Sequence, residues 1–164
     1  MRYLLKASGI AAAITFATFA PSVVAQETTF KFTCRDVGGF LSEPLGDREG
    51  HSISAGQYSC RVDSGPMSGG VDTGTVIYEW DKTSAVLVAG SGVVRKPGMT
   101  VVYQDVDGKL ALTITDGKVT GWTASGRTRW PIGTGAAASL AGKSTTWTAK
   151  STGPGQLEAE DKVE

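Results

Sequence analysis

The 164-residue chain has one histidine, two cysteines and no asparagine. A lone histidine, His51, excludes a multi-histidine metal site, and neither HExxH nor CxxC spacing occurs. No GxSxG elbow is present to carry a hydrolase serine. Charge of one sign is also lacking, with 16 basic residues against 16 acidic ones and no basic run. Nucleic acid is therefore not expected as a partner. Beyond the N-terminus no apolar run is long enough to cross a bilayer as a helix, and no long helical period occurs.

The one long apolar stretch lies at the start. Arg2 and Lys6 precede an uncharged run, Ala7 to Phe19, which Pro21 ends before Val23-Val24-Ala25. This is the pattern of a secretory signal peptide cut after Ala25, and the run is shorter than the ~20 residues of a membrane anchor. Taking 25 from 164 leaves 139 residues, enough for one domain with a core. The expected location is the bacterial periplasm or the exterior.

Cys34 and Cys60 sit in similar surroundings, Phe32-Thr33-Cys34-Arg35 and Tyr58-Ser59-Cys60-Arg61. In each, an aromatic shares a strand face with the cysteine. In an oxidising compartment the isolated pair reads as one disulfide. It would close a loop of about 27 residues, worth roughly 3–4 kcal/mol in the chain-entropy model.

What the chain does have is glycine, recurring threonine, and short alternating runs between turn residues. Met99 to Gly126 reads as three runs joined by two Asp-Gly turns, Asp107-Gly108 and Asp116-Gly117, an antiparallel meander. Before it come 57–63, 75–80 (TVIYEW) and 84–89, with Gly90-Ser91-Gly92 suggesting a bend or bulge. After it, 143–150 is a Thr-rich strand around Trp147. With Thr28–Cys34 as the first strand, about eight strands are expected, closed as an antiparallel β-barrel that removes exposed edges. The barrel domain is assigned to 26–155, and 156–164 is either a charged tail or an edge strand.

Candidate functional groups are few. Asp105-Val106-Asp107-Gly108 lacks the further ligands of a calcium loop, and Gly142-Lys143-Ser144 lacks the helix of a phosphate loop. The 35–57 segment is long for a connection and carries Asp47, Arg48, Glu49 and His51. It reads as a site rim, with His51 an acid/base, or as a solvated turn. Tyr58, Tyr78, Trp80, Tyr103, Trp122 and Trp147 are spread over five strands. They could line a pocket for an apolar or aromatic ligand, or fill a core. Glu79, between Tyr78 and Trp80, is a buried carboxylate if its face is interior and an exposed one otherwise.

The segment Gly133-Thr134-Gly135-Ala136-Ala137-Ala138-Ser139-Leu140-Ala141-Gly142 resembles the Gly-Gly-Thr-Gly turn of the allene oxide cyclase and dirigent proteins. It departs from that pattern at Ile132, in place of the leading Gly, and at Ala136, in place of an aromatic. The resemblance implies an eight-stranded barrel with a small-molecule cavity, often trimeric. It covers about ten residues of a structural turn and places no catalytic group on this chain.

Three functions stay open. The first is binding of a small hydrophobic molecule through Tyr78, Trp80, Tyr103, Trp122, Arg48 and His51. The second is cyclase or isomerase chemistry in the same cavity. The third is a structural or interaction barrel with a filled core. None requires a cofactor, and the partners expected are a small ligand and further copies of the chain.

Overall fold

The computed structural model describes residues 28–164. The signal peptide expected over 1–25 lies outside the described residues. Eight strands run antiparallel in sequence order and close on themselves as a barrel. They are β1 (Thr29–Pro44), β2 (His51–Ser64), β3 (Val71–Asp81), β4 (Ser84–Lys96), β5 (Met99–Thr115), β6 (Lys118–Gly135), β7 (Ser144–Gly153) and β8 (Gln156–Val163). The segment left open as tail or edge is β8. It pairs with β7 on one side and with β1 on the other, so it closes the barrel.

The count of eight is reached differently from the sequence expectation. Asp107-Gly108 is not a turn, because β5 runs through it without a break. Asp107 instead accepts the Arg127 backbone N–H at 3.1 Å and its guanidinium at 2.8 Å, across to β6. A Cβ on Gly108 would meet the Trp147 ring at 2.9 Å, so this glycine serves packing. Asp116-Gly117 is the true hairpin turn, with φ of 51° and 73° at its two central residues. The 35–57 connection is also mostly strand, with only 45–50 left as a turn between β1 and β2.

Bulges keep one set of side chains inward. On β4, Ala85 and Leu87 face the interior; Val88 is then an extra residue, and Gly90, Gly92 and Val94 continue the inner face. On β5, Val106 does the same between Tyr103 and Asp105 on one side and Gly108, Leu110 and Leu112 on the other. Each extra residue switches the period-2 parity, which is why Val88 and Val106 stand outside at 55% and 57% exposure. The Gly90-Ser91-Gly92 bend expected from sequence thus sits two residues from an actual bulge.

One end of the barrel is filled. Phe30, Phe32, Val62, Val94, Val101 and Trp130 pack there. The 65–70 turn adds fully buried Met67, and a short 3-10 turn at Ala138–Leu140 adds Leu140. Phe30 and Trp130 meet edge to face at 5.0 Å. The family-like 133–142 segment therefore forms part of the plug. Just above it the Cys34–Cys60 disulfide joins directly opposed residues of β1 and β2. The other end carries the tight β3–β4, β5–β6 and β7–β8 turns.

Candidate functional site: an acidic, aromatic-walled cavity

The inner faces of all eight strands enclose a cavity of about 310 Å³, reaching from the plug to rim residues Phe40, Ser42 and Trp80. Its upper wall is aromatic and aliphatic: Tyr78 and Trp80 from β3, Leu110 from β5, Trp122 from β6 and Trp147 from β7. The Trp80 indole N–H donates to Ser54 Oγ at 2.7 Å, which fixes that ring at the rim. The Trp147 indole N–H has no partner among the described residues.

Lower down the wall turns polar. The Tyr103 hydroxyl donates to the Asp72 carboxylate at 3.1 and 3.2 Å, and the Tyr58 and Tyr103 hydroxyls lie 2.5 Å apart. A phenol has one hydrogen, so with Tyr103 donating to Asp72, Tyr58 donates to Tyr103. Small residues make room for this chain. A Cβ on Gly74 would overlap both tyrosine hydroxyls at 2.5 Å, and one on Gly92 would overlap that of Tyr103. Asp105 accepts from Thr128 Oγ1 at 2.6 Å, and Gly90 leaves the space its carboxylate occupies. The Asp161 carboxyl, on β8, accepts no hydrogen bond from any described residue.

Burial governs the protonation of these groups. Desolvation first, then the charge of Asp105, pushes Asp72 up to about 7, against the hydrogen bond from Tyr103. Desolvation, with repulsion from Asp72 and Asp105, pushes Asp161 up to about 8. Asp105 and Asp36 are raised for the same first reason. The Tyr58 and Tyr103 hydroxyls are held well above their ordinary value, again chiefly by burial, and stay protonated. Among the described residues no Lys, Arg or His side chain lines the cavity to balance the carboxylates.

Of the residues singled out in the sequence, the cavity brings together Tyr58, Tyr78, Trp80, Tyr103, Trp122 and Trp147. It does not include Arg48 or His51. On β2 the inward set is Ser54, Gly56, Tyr58, Cys60 and Val62, so odd-numbered His51 falls on the outer face. There His51 is buried between two carboxylates, Asp47 at 2.5 Å and Glu79 at 2.8 Å. Hydrogen bonds to Asp47 and then Glu79 raise its pKa. Arg48 pairs with Asp47 at 2.9 Å and Asp81 at 3.6 Å. The face of Glu79 is thereby settled as exterior. Together these groups clasp the 45–50 turn to the β3–β4 end.

Sequence reasoning missed the aspartates. Asp72 shares parity with Val76, Tyr78 and Trp80, a signal that becomes readable once β3 is extended back to Val71. The sequence places Asp105 at the end of a run before a turn, and Asp161 in a charged tail or an edge strand. Their inward direction follows only from the Val106 bulge and from barrel closure by β8.

No protein-family model, curated protein or solved structure matches the chain. Among the described residues no three His, Cys, Asp or Glu side chains converge as a metal site.

Proposed function

We propose that this barrel binds a small hydrophobic or aromatic molecule in its central cavity, and that it works in the periplasm or outside the cell. The observation that carries the reading is the 310 Å³ space walled by Tyr78, Trp80, Trp122 and Trp147. That volume is at the lower end for small-molecule sites, and their usual make-up is an apolar wall with a few placed polar groups. The disulfide agrees with an oxidising compartment. A barrel built as filler would close this space with side chains, as it does at the plug end. The allene oxide cyclase and dirigent resemblance adds a barrel of the same kind and no activity, because fold alone does not carry function.

Native mass spectrometry of the mature chain, recovered without denaturant, tests the reading. A bound small molecule that is released on unfolding is the expected result. It should be absent from Ala149→Trp, which fills the lumen from β7. A bare mass from the parent chain under conditions that preserve its fold would contradict the proposal.

One observation favours a second, enzymatic reading. A carboxyl held at about 7 beside a tyrosine hydroxyl, in an apolar cavity, is equipped for general acid–base work of the isomerase kind. A recovered molecule chemically altered by the parent chain but not by Asp72→Asn would move the assignment to an enzyme.

A further inference from the structure

The cavity is unusual in its charge. Its lower wall carries Asp72, Asp105 and Asp161, with Asp36 nearer the rim, and among the described residues nothing basic faces them. Taking a carboxylate out of water without a counter-charge is costly, and three that repel one another are costlier. Asp72 and Asp105 have hydrogen bonds that hold them in place, but the Asp161 carboxyl has none among the described residues. A lining carboxyl without a partner, inside a space large enough for a small molecule, leaves an acceptor unused. Above it stand the indoles of Trp80, Trp122 and Trp147, whose negative ring faces attract organic cations.

We propose that the cavity takes a small organic ammonium ion with an apolar body, its charged head on Asp161 and within the field of Asp72 and Asp105, and its body between the indoles. This inference rests on the reading that the cavity binds a ligand at all. It explains the unbalanced wall, since the ligand supplies the missing positive charge. It also explains the shape of the site, with acid at the depth and aromatic faces toward the rim. A metal ion does not fit, because the carboxylates do not converge.

The titratable groups facing the ligand head are Asp36 from β1, Tyr58 from β2 and Asp72 and Tyr78 from β3. To these are added Tyr103 and Asp105 from β5 and Asp161 from β8, while β4, β6 and β7 contribute none. The tyrosines remain neutral, so the aspartates set the response to pH. Binding of the cation draws protons off Asp72 and Asp161, and affinity rises with pH from 6 to 8. An alkyl amine keeps its own charge over that range.

Calorimetry of the mature, disulfide-bonded chain at pH 8 with phenethylamine, 2-phenylethanol and phenylacetate separates charge from shape. The amine is expected to bind about tenfold or more tightly than the alcohol, with the acid weakest. In Asp161→Asn, which loses no hydrogen bond, the amine's advantage should fall below about threefold, and at pH 6 the parent should bind the amine more weakly. Glu158→Gln, on the outer face of the same strand, should leave the preference intact. Equal or tighter binding of the alcohol overturns the ammonium ligand while leaving the binding reading in place. Loss of the preference in Glu158→Gln assigns it to overall charge and also overturns the proposal. No binding of any of the three at millimolar concentration removes both readings.

Discussion

A carboxyl on the inner face of β8 with no hydrogen bond keeps its proton into the neutral range, and Asp161 is that group. Unfolded, it ionises near 3.8; folded, near about 8. Between these values the folded state holds the extra proton, so stability falls as pH rises. Asp161→Asn removes that penalty. Its gain in unfolding free energy should be larger at pH 8 than at pH 5, by up to about 4 kcal/mol. Denaturant titration at the two pH values checks this, and an equal gain at both contradicts it. His51 acts in the same direction through different chemistry. Its pKa is raised by Asp47 and Glu79, so its stabilisation is complete below the unfolded value of 6.5 and is lost as pH rises through the folded one. His51→Gln should lower the melting temperature at pH 5.5 and do so less at pH 9. It should also speed amide exchange at Leu45 and Lys82, whose N–H groups bond to the His51 and Gly50 carbonyls. A melting deficit that grows with pH would sink this account of the clasp.

At the scale of elements, strands that present glycine to the lumen create the space for the polar chain. Gly92 is the test case, because a Cβ there runs into the Tyr103 hydroxyl and the Thr73 carbonyl at 2.7 Å. Gly92→Ala should cost about 1–3 kcal/mol by overpacking. Removing the hydroxyl in Gly92→Ala/Tyr103→Phe should restore part of the loss, as measured by urea unfolding. Additive costs in the double variant would show that the crowding lies elsewhere. Strand existence was legible from sequence because alternation and turn chemistry are local: Asp116-Gly117 turns where expected. Asp107-Gly108 has the same local signature, yet there Gly108 accommodates Trp147 and Asp107 binds Arg127 across the sheet. Both partners are distant in sequence, so no local pattern separates that dipeptide from a turn. The bulges at Val88 and Val106 were hidden for a related reason, since an extra residue is defined only against its partner strand.

For the whole molecule, closure by β8 and the plug of Phe30, Met67, Trp130 and Leu140 leave the cavity toward one end only. The aromatic half of that space could be read from tyrosine and tryptophan on alternating strands. The acidic half could not, because Asp72 lies ahead of the run read as β3, and the inward faces of Asp105 and Asp161 are set by the Val106 bulge and by closure with β8. The length and charge of the 35–57 segment point to His51 and Arg48 as part of the candidate site, but the segment is mostly strand and the parity of β2 places His51 on the other side of the wall. The central claim is that the lumen, not the outer clasp, is the functional site. Its most direct test is an NMR titration of the full mature chain with phenethylamine, following the four indole N–H signals and the His51 ring. The account predicts shifts at Trp80, Trp122 and Trp147 with His51 unmoved. Shifts centred on His51, or none at the wall indoles under saturating amine, would contradict it.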